Sequence, residues 1–151
     1  MARLFGTDGV RGVAGSDLTI DMAMKIGSSA AYVLTKNKKE VKVIIGNDGR
    51  ESSYMLVAAL KAGLYSLGVS VLDAGLLPTP AISYLVKYYK MDAGIMVTAS
   101  HNSYEYNGIK IFDSNGYKLP DEIEDEIEKY VREGYKYQVN KMGRPLESRN
   151  F

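Results

Sequence analysis

Ser100 stands at the end of the apolar run Ala93-Gly94-Ile95-Met96-Val97, inside Thr98-Ala99-Ser100-His101-Asn102, beside the single histidine of the chain. A hydroxyl there is a candidate nucleophile, and the adjacent imidazole a candidate proton carrier. Lys110 follows ten residues later in Asn107-Gly108-Ile109-Lys110, where Asn-Gly reads as a turn that brings the chain back. Two arginines offer planar forks for a phosphate. Arg11 lies in Gly6-Thr7-Asp8-Gly9-Val10-Arg11-Gly12, and Arg50 in Gly46-Asn47-Asp48-Gly49-Arg50. Cations gathered around a hydroxyl and glycine-rich backbone suit an anionic ligand, most simply a phosphate.

Each of these residues also has a plainer reading. A serine after a strand caps turns, and Lys110 would equally serve an exposed edge strand. The Gly6–Gly12 stretch on its own describes a flexible turn with a solvated arginine, because glycine-rich segments are nonspecific. One serine beside one histidine makes no triad without an orienting acid, and the sequence assigns none. The fold must decide whether these groups meet.

The elements that would gather them are legible. Ile20 to Leu34 carries apolar residues at helical spacing, and Tyr54 to Leu67 forms a second apolar helix ended by Gly68. Ala81 to Tyr89 predicts a third, opened by Pro80. Val41–Ile45, Val69–Leu72 and Ala93–Val97 read as strands, the last apolar enough to be buried on both faces. Strands alternating with helices indicate a parallel sheet. The loops Gly46–Arg50, Gly75–Thr79 and Thr98–Asn102 then share one sheet edge, the edge where α/β sheets bind ligands.

After Ser100 the pattern changes. Ile109–Phe112, Asp113-Ser114-Asn115-Gly116 and Tyr117–Leu119 predict a hairpin, and Pro120 opens a helix that Gly134 ends. Its acidic residues over 121–128 read as a solvated face, not a metal site. The fold expected is a three-layer α/β domain: a mainly parallel sheet flanked by helices, with an antiparallel hairpin or edge strand. Residues 1–135 are expected to form the domain and 136–151 an interdomain linker or the start of a second domain.

Composition narrows the function classes. The 151 residues carry a net charge of +1, so no basic excess argues for nucleic acid. The absence of cysteine excludes a disulfide scaffold, thiolate catalysis and cysteine-held zinc. No apolar run approaches the ~20 residues of a membrane span, and the first residues lack a signal-peptide core. A cytoplasmic domain with no membrane partner is expected.

Taken together, the motifs resemble the α-D-phosphohexomutases, and within them the bacterial phosphoglucosamine mutases. Leu4–Gly12 is similar to the opening of those enzymes, and Gly46–Arg50 to their Gly-Arg-Asp-Thr-Arg loop. Pro78-Thr79-Pro80 is similar to their Pro-Thr-Pro segment, Thr98–Lys110 to their phosphoserine loop, and Asp113–Asp121 to the segment that follows. The order is preserved over about residues 3 to 133. The resemblance implies that Ser100 is phosphorylated in the active enzyme and that its phosphate helps ligate Mg²⁺. It implies that Lys110 and Arg11 lie near the transferred phosphoryl and that His101 assists proton transfer or positioning. Thr7, Gly9, Arg50, Asn102 and Asn107 would contact substrate or phosphate.

The family reaction that this implies interconverts glucosamine 6-phosphate and glucosamine 1-phosphate through a 1,6-bisphosphate, with glucose or glucosamine 1,6-bisphosphate as activator. A phosphoglucomutase or phosphomannomutase domain, or a non-catalytic sugar-phosphate-binding module, would share much of the pattern. The resemblance reaches only the first of four domains, so the remaining metal ligands and domains of the same enzyme are expected outside this chain, and the chain alone is expected to be inactive. Ser103 stands where the family places proline, and Asn47 and Gly49 replace an arginine and a threonine.

Overall fold

The computed structural model, which describes residues 3–136 and 141–148, holds six strands and four helices that alternate except that β5 directly follows β4. The order is β1 (Val10–Val13), α1 (Ile20–Leu34), β2 (Val41–Asn47), α2 (Ser53–Ser66), β3 (Val69–Leu76), α3 (Thr79–Tyr88), β4 (Ala93–Val97), β5 (Tyr106–Phe112), α4 (Asp121–Glu133) and β6 (Pro145–Leu146). The sheet runs β1-β5-β4-β2-β3-β6. Strands β4, β2, β3 and β6 run parallel to one another, while β5 is antiparallel to both β4 and β1. The expected mainly parallel sheet with an antiparallel part is therefore present.

Alternation along the strands sorts the core into two layers. Val41, Val43 and Ile45 of β2, Ala93, Ile95 and Val97 of β4, and Ile109 and Ile111 of β5 pack with α1, α2 and α4. Ile44, Leu72 and Met96 face the other way, against Ile82 and Val86 of α3. Gly27 of α1 and Gly63 of α2 let the two helices approach closely. A Cβ on either would come within 2.5 Å or 2.4 Å of the facing helix backbone.

The structure departs from the sequence expectations at the edges. Val10–Val13, read as part of a flexible turn, is a strand because β5 offers it a ladder: Val10 pairs with Ile109 and Val13 with Tyr106. Asn107-Gly108 is no turn but lies within β5. The hairpin expected around Asp113–Gly116 does form, with Asp113 N–H donating to Tyr117 O and Leu119 N–H to Ile111 O, but its second arm is a single bridge, Phe112 to Lys118, and not a strand. Of the stretch 136–151, residues 137–140 and 149–151 lie outside the described residues, and Pro145–Leu146 joins the sheet beside Val71 and Leu72. Glu124 does not belong to a solvated face. It is 1% exposed, because Lys118 and Arg3 reach it at 2.7 and 3.4 Å. Among the described residues, no helix is long and apolar enough to cross a membrane.

Candidate active site at the strand ends

Parallel β2, β3 and β4 bring the loops after them together: Asp48 N–H donates to Val97 O, and Leu77 N–H to Asn47 O. Ser100 sits exposed at this edge with φ +55°, a left-handed conformation that costs an L-residue on the order of 1–3 kcal/mol. Its Oγ accepts a hydrogen bond from Arg11 Nη2 at 3.1 Å.

Arg11 reaches Ser100 because of the strand beside it. On β1, Arg11 lies opposite Gly108 of β5. A Cβ at 108 would stand 2.9 Å from Arg11 Cγ, 2.7 Å from Thr98 O and 2.8 Å from Val10 O. The missing side chain is therefore the space in which the arginine stem crosses β5. Arg11 Nε is buried with no hydrogen-bond partner, and no partner is seen for Nη1 among the described residues. An unsatisfied buried donor costs about 1–3 kcal/mol, so the fold bears a penalty to hold this fork on the serine.

Lys110 shares Arg11's side of the sheet. Ile109 and Ile111 point to the α1, α2 and α4 layer, while Phe112 packs with the α3 layer. Alternation places Gly108, Lys110 and Phe112 on the α3 face, and Arg11 follows its partner Gly108 there. The ladder with β1 ends at Ile109, so Lys110 emerges where β5 becomes uncovered. There it lines a cleft with Thr7, Asp8, Gly9, Thr79 and Lys118. Its Cγ would meet a Cβ on Gly9 at 3.0 Å, and Gly9 itself has φ +85°. The hydrogen bond to Glu124 holds the Lys118 ammonium above its ordinary value, against a smaller opposing effect of burial.

The remaining expected site residues divide sharply. His101 and Asn102 are exposed in the serine loop; Asn102 N–H donates to Ala99 O, and no hydrogen bond is seen from the His101 ring among the described residues. Asn107, expected against a phosphate, is buried at 0% exposure. Its amide donates to Ser52 Oγ (2.9 Å) and Ser53 Oγ (3.1 Å), bracing the start of α2 against β5. Arg50 is also turned inward. Nε donates to Asp48 Oδ2 at 3.0 Å, Nη1 to Ser103 O and Tyr106 O, and Nη2 to Ser100 O. Four of its five N–H groups are thus directed at protein acceptors.

Asp48 and Thr98 are the residues that sequence reasoning passed over. Thr98 is 3% exposed, and its Oγ1 donates to Asp48 Oδ2 at 2.7 Å while accepting from Ser100 N–H at 2.9 Å. Burial works to raise the Asp48 pKa, but hydrogen bonds from Thr98 and Arg50, with the Arg50 charge, outweigh it and hold the carboxyl below its ordinary value. The signal was present in Asp48-Gly49-Arg50, an aspartate two residues before an arginine at a strand end. Its partner in β4 was not visible from spacing.

A mixed α/β sheet with a strained serine at its strand ends, faced by an arginine from the first strand, has clear relatives. The sequence matches the phosphoglucomutase/phosphomannomutase α/β/α domain I family over residues 2–138. It is 56% identical over 133 residues to a phosphoglucosamine mutase from Thermoanaerobacter sp. (strain X514), covering 88% of this chain and 30% of that protein. A phosphoglucosamine mutase from Clostridium novyi (strain NT) is 53% identical over 135 residues, 89% of this chain and 30% of that one. A crystal structure of a phosphoglucomutase/phosphomannomutase family protein from Burkholderia thailandensis superposes with a TM-score of 0.77 at 29% identity, over 96% of this chain and 32% of that one. The chain spans about a third of the length of each relative, and it belongs to the phosphoglucomutase/phosphomannomutase family, as its α/β/α domain I.

Proposed function

We propose that this chain is the phosphoryl-carrying domain of a phosphosugar mutase, and that Ser100 is the hydroxyl that carries the phosphoryl group. The observation that carries the reading is the 3.1 Å hydrogen bond from Arg11 Nη2 to Ser100 Oγ, at a strand end where the serine is exposed and backbone-strained. Glucosamine 6-phosphate and glucosamine 1-phosphate are the substrates favoured, since the relatives at 53% and 56% identity are named phosphoglucosamine mutases.

The chemistry follows from what the residues offer. Phosphoserine gives its phosphoryl to a free sugar hydroxyl, forming one P–O bond as the seryl P–O bond breaks. The bisphosphate so formed turns round and returns its other phosphoryl to Ser100. A loose phosphoryl-transfer transition state spreads negative charge over the equatorial oxygens, so catalysis is mainly positioning and positive charge. Arg11 supplies a fork with donors left for such oxygens. Lys110, on the same sheet face, supplies a second cation at the cleft with Thr7 and Gly9. His101, exposed next to the serine in the chain, would carry the proton that a hydroxyl releases on attack.

Family membership implies Mg²⁺. Among the described residues no three carboxylates or imidazoles converge on a point, so this chain's donor set does not fit a self-contained magnesium site. The Ser100 phosphate would offer one oxygen, and no step here is routed through the metal. Sugar recognition and the other metal ligands are assigned to further domains of the same enzyme.

The test is Ser100→Ala in the full-length enzyme, assayed with glucosamine 6-phosphate and a hexose 1,6-bisphosphate. Loss of turnover with retained folding is expected. Full turnover in that variant would remove the assignment.

A further inference from the structure

The backbone of Ser100 is gripped from both sides by residues that never touch its hydroxyl. Its N–H donates to Thr98 Oγ1, and Thr98 Oγ1 donates to Asp48 Oδ2. A hydroxyl has one proton, so this geometry commits the Thr98 proton to Asp48 and leaves a lone pair for Ser100 N–H. On the other side the Ser100 carbonyl accepts from Arg50 Nη2 at 2.8 Å. Arg50 Nε closes the circle on the same Asp48 oxygen, at 3.0 Å. Both peptide groups of Ser100 therefore lead back to one ion pair, Asp48 with Arg50, whose side chains are 24% and 12% exposed.

The grip has something to hold. Ser100 has φ +55°, and only one other non-glycine residue among those described, Lys90, has a positive φ. An L-residue left to itself relaxes out of this region, and relaxation would swing Oγ away from Arg11. The loop lacks the fixed φ of a proline, since Ser103 follows Asn102. Arg50 Nη1 instead ties down Ser103 O and Tyr106 O, at 2.7 and 3.0 Å.

We infer that Thr98 and Asp48 are positioning residues for phosphoryl transfer at Ser100, acting through its backbone, and that Arg50 completes the clamp and is not a phosphate ligand. This rests on the assignment of Ser100 as the phosphoryl carrier. Displacing a reacting atom by about 1 Å costs on the order of 10²-fold in rate, so the clamp acts on kcat and leaves ground-state sugar-phosphate binding alone.

The experiment uses the full-length enzyme, with glucosamine 6-phosphate as substrate and glucose 1,6-bisphosphate as phosphoryl donor. Thr98→Val removes the relay at constant volume, and Thr98→Ser keeps the hydroxyl. The inference expects Thr98→Val to lower kcat on the order of 10²-fold with KM within about threefold, and Thr98→Ser to restore kcat to within about threefold of the parent. Exchange of the Ser100 amide hydrogen, followed by NMR, should be at least about tenfold faster in Thr98→Val than in Thr98→Ser. Parental kcat in Thr98→Val overturns the inference, as does a kcat loss that Thr98→Ser fails to restore. If Thr98→Val does not fold, Asp48→Asn takes its place: kcat reduced about tenfold or more at unchanged KM supports the clamp, and parental kcat overturns it. Ser100→Ala in parallel separates the two levels. Parental Thr98→Val with inactive Ser100→Ala removes only the clamp, whereas an active Ser100→Ala removes the assignment beneath it.

Discussion

Arg11 and Ser100 lie 89 residues apart in the chain, yet Nη2 of one donates to Oγ of the other at 3.1 Å. The contact exists because β1 pairs antiparallel with β5 and because the residue facing Arg11 is a glycine. A first strand that contributes only four residues to the sheet thereby delivers the cation that donates to the candidate nucleophile's hydroxyl.

Gly108→Ala tests that geometry. The added methyl would stand 2.7 Å and 2.8 Å from backbone oxygens and 2.9 Å from the Arg11 stem, and backbone cannot give way cheaply. Overpacking of this kind costs about 1–3 kcal/mol. The urea midpoint of the 151-residue chain should fall accordingly, and turnover of the full-length enzyme should fall further than stability alone explains. An unchanged midpoint would show that β1 and β5 are not held as close as described.

Lys110→Met separates chemistry from folding. Lys110 is half-buried at a cleft rim, so the hydrophobic replacement should leave melting near the parental value. Removing a positioned cation or proton-transfer group should lower kcat roughly 10²-fold or more. Unchanged kcat in the full-length variant would reduce Lys110 to a strand residue.

Asp48 predicts a pH dependence with a definite sign. Its carboxyl is held below the ordinary value of 3.8 in the folded state, by Thr98 and Arg50 acting against burial. The stabilisation is therefore fully present above the unfolded pKa and is lost as pH falls through the folded one. Exposed Glu40 and Glu105 are also lowered and titrate in the same direction, so the parental acid slope is not due to Asp48 alone. The difference between parent and Asp48→Asn isolates it. Denaturant midpoints measured from pH 6 downward to about pH 2 should converge for the two proteins as acid removes the Asp48 charge. A constant gap across that range would contradict the reading.

Helices and parallel strands were legible in the sequence because their signals are local. α1 spans Ile20–Leu34, the stretch its apolar spacing marked, and β4 spans the apolar run Ala93–Val97. What escaped depended on partners far away. Asn107-Gly108 carries a turn signal, but here the asparagine amide is satisfied by Ser52 and Ser53, and the glycine makes room for Arg11. Val10–Val13 has too few residues to announce a strand, and β5 supplies the ladder that makes it one. For the site itself, Ser100, Arg11 and Lys110 were found by motif; Arg11 donates to Ser100 at the strand ends, and Arg11 and Lys110 share one face of the sheet. Arg50 was found by motif too, but its charge faces inward, because Asp48 and three carbonyls claim its donors first. Motif reading identifies which residue types belong to a loop. It does not say which of two arginines keeps its N–H groups free.

Where the phosphoryl group resides decides whether Ser100 is the carrier. The full-length enzyme should be incubated with glucose 1,6-bisphosphate, digested and mapped by mass spectrometry, then chased with glucosamine 6-phosphate. A single phosphoryl group on Ser100 that disappears on the chase, with no phosphorylation and no turnover in Ser100→Ala, is the predicted result. A phosphoryl group on another residue, or turnover that survives Ser100→Ala, would contradict it.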